Sequence, residues 1–443
     1  MSEQRSTTTR RRFLGVAAAG AAAAAGAAGA ALVGASAPAA ARAPAPARQS
    51  PAGEQPGRAS YKLYSEGRIG TLRLKNRLVR SAAYESGGAL RSGPDKGKVT
   101  EGYLTMQRGF AEGGVGLIIT GYMSVIDHEF LPGQIGALDD RYLPGLRRVA
   151  DTVHGAGNDC KIVAEIGHGG VTWGPSGYAW PTKQAGRIMT IEEIETFCTA
   201  MADATRRLQV AGFDGVEIHG AHHYTINAFL SPWSNRRTDR YGGSLEKRVE
   251  IVREMVAKIR DRVGPDFPIL IKLNCDDGPL DDGTEGEIDR ATFPALAREI
   301  VKTGVDAIDV SGQKCPGDPL RRHLDRLEDQ SFYEPYARVL DVDVPVILGC
   351  GNKNVELLER IVRAGDGIEF VSFARPLFRE PGLPNRWLEG RGPVETTCIS
   401  CSYCYNRIGR DGMVHCWQLG RPGLEQGAIA EETDAGTTPT SGS

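Results

Sequence analysis

From Tyr61 onward the chain alternates short apolar runs with longer amphipathic ones. The short runs are Arg77–Ser81, Val115–Thr120, Lys161–Ile166, Gly215–Gly220, Pro268–Asn274, Ala307–Gly312, Pro345–Cys350 and Ile368–Arg375. Each is about a strand long, rich in Val, Ile and Leu, and shows little strict alternation, as a strand covered on both faces should. Between them apolar residues recur at helical spacing, as over Ile191–Ala211 and Ser244–Val263. Eight such β/α units in roughly 330 residues predict an α/β fold, a (β/α)8 TIM barrel over residues 61–390. No G-x-G-x-x-G follows any of the runs, so no separate dinucleotide-binding domain is expected.

In such a barrel, chemistry belongs at the C-terminal ends of the strands. Polar residues stand there. Glu165 ends the third run, with His168 beyond it. The fourth ends in His219, followed by His222, His223 and Tyr224. Lys272 interrupts the fifth. Gly349-Cys350-Gly351-Asn352 closes the seventh, and Ala374-Arg375 the eighth. The last two loops are the usual phosphate site of these barrels, where backbone N–H groups and an arginine hold a dianion. The pattern therefore reads as a phosphate-bearing ligand ringed by His, Tyr, Lys and Glu.

The flanks change the picture. Residues 1–47 begin polar and basic, reach Arg10-Arg11-Arg12-Phe13-Leu14, run through Ala and Gly without charge to Val33, and end rich in Pro and Ala. This is the layout of a signal peptide, with Ala39-Ala40-Ala41 as a cleavage signal. The paired arginines resemble a twin-arginine signal, which predicts export and membrane contact only through this segment if it stays uncleaved. Residues 421–443 are rich in Gly, Thr and Ser and read as a disordered tail. With 53 Lys and Arg against 55 Asp and Glu, the net charge of −2 gives no electrostatic footprint for nucleic acid. Nine cysteines are too few for a disulfide scaffold in so long a chain. Four of them, Cys398, Cys401, Cys404 and Cys416, cluster in a cysteine-rich extension over 391–420. Their thiolates suit an iron–sulfur cluster, with structural zinc or disulfides as the alternatives. Cys160, Cys198, Cys275, Cys315 and Cys350 are expected to be small buried residues.

Several motifs recur in one order: Gly70-Thr71-Leu72-Arg73-Leu74-Lys75-Asn76-Arg77, Gly113-Gly114-Val115-Gly116-Leu117, His219-Gly220-Ala221-His222-His223-Tyr224, Asn235-Arg236-Arg237-Thr238-Asp239-Arg240-Tyr241-Gly242-Gly243 and Phe370-Val371-Ser372-Phe373-Ala374-Arg375-Pro376. From about Leu63 to Trp387 the chain resembles the old yellow enzyme family, especially the branch of 2,4-dienoyl-CoA reductase and trimethylamine dehydrogenase. The resemblance implies FMN across the barrel mouth. Its phosphate would meet the amides of Gly351, Asn352 and Ala374 and the side chain of Arg375. Ala82, Ala83 and Tyr122 would cover the ring, and Lys272 would stand beside its N1–C2=O edge. His219 and His222 would hydrogen-bond a substrate carbonyl and Tyr224 would protonate the α-carbon of a small-molecule substrate with an activated C=C bond. NAD(P)H is the implied electron donor, or a redox partner protein or quinone acting through a [4Fe–4S] cluster on the four cysteines. An amine-oxidising dehydrogenase and a non-catalytic electron carrier are the alternative readings. The sequence departs from the family at Glu165, where a Gln is usual, at Tyr84, at Val171 and at His223. For Lys272, a buried ion pair with Glu165 that locks two strands stands beside the flavin-edge role.

Overall fold

A computed structural model of the chain describes residues 57–85, 93–131, 133–170, 173–176, 187–278, 287–312, 324–406 and 413–420. The expected signal segment, the expected disordered tail and Cys315 lie outside the described residues.

Eight parallel strands form a closed ring: β1 (Leu78–Arg80), β2 (Leu117–Ile119), β3 (Lys161–Gly167), β4 (Gly215–Gly220), β5 (Ile269–Asn274), β6 (Ala307–Ser311), β7 (Val346–Leu348) and β8 (Ile368–Phe373). Each pairs with the next, and β8 returns to β1 through the Val371–Leu78 register, so no edge remains. A (β/α)8 barrel is the fold expected from the apolar runs. The helices that follow the strands are α1 (Glu101–Glu112), α2 (Leu143–His154), α3 (Ile191–Ala211), α4 (Leu245–Val263), α5 (Phe293–Val301), the single turn α6 (Glu334–Ala337), α7 (Val355–Arg363) and α8 (Leu383–Leu388). Local chemistry sets their ends. Thr190 and Glu193 close a reciprocal cap on α3, with Glu193 N donating to Thr190 Oγ1 at 3.2 Å and Thr190 N to the Glu193 carboxylate at 2.9 Å. Gly212, at φ +94°, ends the same helix in the left-handed region.

The N-terminal end of the barrel is plugged by a hairpin, Gly67–Ile69 against Leu72–Leu74. Its turn uses Gly70 at φ +54°, where a Cβ would come within 2.9 Å of Asp306 Oδ1. Ile69, Leu72 and Leu74 pack on the inward-facing Val163, Leu270, Ala307, Ile347 and Phe370 as one dry cluster. Side chains alternate across a strand, so the same inward face reappears two residues later. There it carries Glu165 on β3, Lys272 on β5, Asp309 on β6 and Ser372 on β8. The barrel interior is therefore apolar below and charged above, and that change of character places the site.

Candidate active site

The expected cofactor and substrate residues come from seven of the eight strands and the turns after them. All twelve (Ala82, Ala83, Tyr122, Glu165, His219, His222, Tyr224, Lys272, Gly351, Asn352, Ala374 and Arg375) line one cavity of about 330 Å³ at the C-terminal end of the barrel. Tyr84, the departure after β1, lines it too.

One wall is the turn after β4. His222 and His223 both adopt left-handed backbone, φ +59° and +57°. For residues with a Cβ this costs roughly 1–2 kcal/mol each. The turn is held by His223 N donating to Asn227 Oδ1 at 2.7 Å, and the short helix Thr225–Leu230 starts at once. The result is a tight set of rings. His219 meets Tyr224 at 4.9 Å between centroids, edge on, and His222 at 5.2 Å. Tyr122 lies 5.4 Å from His219 and 5.3 Å from Tyr224. Burial first, and then the Lys272 charge, hold His219 well below the usual imidazole range. Burial does the same for His222, helped by His219 and Lys272. Both rings are neutral at pH 7, each with one N–H to give, and His222 Nε2 lies 2.8 Å from Ser311 Oγ. Burial pushes the Tyr224 phenol up, so it keeps its proton.

The opposite end is the turn after β7 and the start of the Arg375–Arg379 helix. Gly351 sits at φ +78°, with Phe332 2.7 Å from where a Cβ would stand. Asn352 spends its side chain on the scaffold: Nδ2 donates to Leu348 O at 2.7 Å and Ser372 O at 2.9 Å, while Oδ1 accepts from Ser331 Oγ at 2.7 Å. Only its amide is left for a ligand. Arg375 donates to Ser402 Oγ at 2.8 Å and to Ser400 O at 3.3 Å. It forms no ion pair among the described residues. Ser400 itself lines the cavity, so the cysteine-rich extension completes this wall.

Lys272 is more heavily engaged than the sequence suggests. Its ammonium meets Glu165, as the ion-pair reading had it, and also Glu217 and Asp309. Those two carboxylates escaped the sequence reading. The signal was present, since each interrupts an apolar run at the same inward parity as His219 or Ser311.

Cys398, Cys401, Cys404 and Cys416 are free thiols. Burial pushes the Cys404 thiol up to about 12, and the other three thiols of the set contribute. Yet among the described residues no three His, Cys, Asp or Glu side chains draw close enough to hold a metal ion. Cys160, Cys198 and Cys275 are buried free thiols as expected. Cys350 corrects the expectation: it is disulfide-bonded, half-buried, at φ +67°, and lines the cavity.

FMN fits the residues present. An arginine without a carboxylate partner among the described residues marks one end of the cavity, and the buried Ser372 Oγ on its wall has no hydrogen-bond partner among them either. A dianion at Arg375 and a polar edge over Ser372 would satisfy both.

Comparison with known proteins agrees with this geometry. The model of the NADH:flavin oxidoreductase / NADH oxidase family matches residues 62–393. A metal reductase of Desulforamulus reducens is 33% identical over 392 residues, covering 86% of this chain and 55% of that protein. A cinnamate reductase of Clostridium sporogenes is 28% identical over 388 residues, covering 80% of this chain and 57% of that protein. The chain thus spans about half the length of the curated relatives it matches. Among solved structures, a 2-naphthoyl-CoA reductase in complex with 2-naphthoyl-CoA superposes with a TM-score of 0.70 at 24% identity, over 80% of this chain and 56% of that one.

Proposed function

Because the chain belongs to the NADH:flavin oxidoreductase / NADH oxidase family, we propose that it is an FMN-dependent reductase. It uses NADH or NADPH and acts on the activated C=C bond of a small α,β-unsaturated carbonyl compound. Arg375 and the amides of Gly351, Asn352 and Ala374 hold the FMN phosphate. Bound FMN supplies the hydride. The remaining work belongs to the chain. His219 and His222, both neutral, each turn an N–H to the carbonyl oxygen and so draw electron density from the β-carbon. Tyr224 holds a proton on Oη at neutral pH and delivers it to the α-carbon, as a general acid must. The name of the cinnamate reductase relative supports a conjugated C=C acceptor.

The observation that carries this reading is the convergence of His222 and Tyr224 on His219, at 5.2 and 4.9 Å between ring centroids, on one cavity wall. Anaerobic mixing of reduced, FMN-loaded protein with 2-cyclohexenone tests it. Reoxidation of the flavin should slow by about 10²–10⁴-fold in Tyr224→Phe, the usual contribution of a general acid. Equal rates in the two proteins would remove Tyr224 from the role.

Two further proposals rest on residues outside this geometry. The C-x2-C-x2-C-x11-C spacing supports an iron–sulfur cluster on Cys398, Cys401, Cys404 and Cys416, and iron-free protein purified anaerobically would refute it. The twin-arginine pattern supports export, and an unchanged cell distribution of an Arg11→Lys, Arg12→Lys variant would refute that.

A further inference from the structure

At the cavity floor, four ionisable side chains meet: Glu165 and Lys272, which line it, and Glu217 and Asp309, which do not. Lys272 Nζ lies 2.8 Å from Glu165 Oε1, 2.6 Å from Glu217 Oε2 and 3.2 Å from Asp309 Oδ2. All four side chains are at most 4% exposed. One ammonium therefore faces three carboxylates. If all were ionised, two negative charges would stand in excess where water is scarce, and such charges cost several kcal/mol each.

Among the described residues, nothing around the cluster supplies the missing positive charge. From β4, His219 Nδ1 lies 3.3 Å from Glu165 Oε1, but its ring is neutral. His222, Tyr122 and Tyr224, the other titratable groups facing Glu165, are neutral as well. Beneath lie Val163, Leu270, Ala307, Ile347 and Phe370. The balance has to come from protons. Glu217 Oε1 and Asp309 Oδ1 are buried with no hydrogen-bond donor beside them among the described residues. Yet Glu217 Oε2 and Asp309 Oδ2 meet the same ammonium, at 2.6 and 3.2 Å, and the two carboxyls lie in hydrogen-bonding contact with each other. A carboxyl–carboxylate pair resolves this only by sharing a proton.

Resting on the flavin reading above, we propose that Glu217 and Asp309 share a proton beneath the cavity and that this cluster takes up one more from solvent when the flavin is reduced. The added proton offsets the negative charge that hydride transfer brings above Lys272. It neutralises one of the carboxylates engaging the ammonium, which then turns its charge to the cavity. No bond forms between cluster and cofactor. The two electrons and one hydrogen come from the nicotinamide, and the extra proton comes from water.

The test is the flavin midpoint potential against pH, from 6.5 to 8.5, in FMN-loaded wild type and in a Glu217→Gln, Asp309→Asn variant, whose Lys272 and Glu165 balance each other and leave no charge for a proton to offset. For a two-electron couple each proton taken up contributes about 30 mV per pH unit. Two protons are expected in wild type, a slope of about 59 mV, and one in the Glu217→Gln, Asp309→Asn variant, about 30 mV. A wild-type slope of 30 mV would overturn the uptake, as would 59 mV in both proteins, which would put both protons on the flavin. Infrared spectra of the apo-protein give a second reading. At pH 7.5 the C=O stretch of a protonated carboxyl should be present, and lost in a Glu217→Gln, Asp309→Asn variant. Its absence from wild type would overturn the shared proton. Failure to bind FMN would refute the proposed function, and the infrared result would then decide the shared proton by itself.

Discussion

Replacing Lys272 with Met removes the only ammonium from three buried carboxylates while keeping the volume of the stem. Breaking a buried ion pair by taking one partner typically costs about 3–5 kcal/mol. Here the cluster has a cheaper escape, which is to bind one extra proton. Taking that proton at pH 7 by a group with an ordinary pKa near 4.3 costs roughly 3.7 kcal/mol, at 1.36 kcal/mol per unit. At pH 5 the same proton costs only about 1 kcal/mol. The folded variant then carries one more proton than its unfolded chain, so its stability falls as pH rises across this window. Urea unfolding of the apo-protein, followed by circular dichroism at both values, gives the difference from wild type. The expectation is a loss of about 3–4 kcal/mol at pH 7 that shrinks to about 1 kcal/mol at pH 5. A loss that is the same at both pH values would show that the carboxylates take no proton, and the reasoning would fail.

Other consequences can be checked independently. Arg80 is fully buried, donates to Ile119 O at 2.6 Å, pairs with Glu85 and lies 5.3 Å from the Phe110 ring. Arg80→Met strands Glu85, whose carboxyl burial already pushes up, and should lower the urea-unfolding free energy by about 3–5 kcal/mol. Arg375→Ala should weaken FMN binding, measured by quenching of flavin fluorescence, by about 10- to 100-fold, the worth of one hydrogen bond to a charged group. In metal-free folded protein, iodoacetamide should label Cys404 at pH 8.5 at least ~100-fold more slowly than in urea, because only the thiolate reacts. Equal labelling rates would contradict the raised thiol.

The barrel was legible because its strands are covered on both faces, so each run is apolar almost throughout. Boundaries shifted where the ladder stops short of the apolar run: Arg77–Ser81 pairs only as Leu78–Arg80, and Pro345–Cys350 only as Val346–Leu348. Ile191–Ala211 matched end to end because Thr190 and Gly212 mark its limits chemically. Twelve ligand positions reach one cavity because the ends of parallel strands converge there whatever the loops do. Glu217 and Asp309 were missed for a different reason. A charged residue inside an apolar run points inward or outward according to its register, and the opposition of Lys272 to Asp309 and of Glu165 to Glu217 exists only once the strands pair. Asn352 as a clasp between β7 and β8 and the Ser400 and Ser402 contacts of Arg375 likewise depend on chain segments brought together from a distance.

The central claim, a flavin in this cavity poised to reduce an activated C=C bond, is tested most directly by one anaerobic visible spectrum. Purified protein should show an oxidised flavin band that bleaches with NADH or NADPH and returns on adding 2-cyclohexenone, with FMN released on heating. Protein that neither carries nor takes up flavin, or whose bleached flavin stays bleached with the enone, would contradict the account.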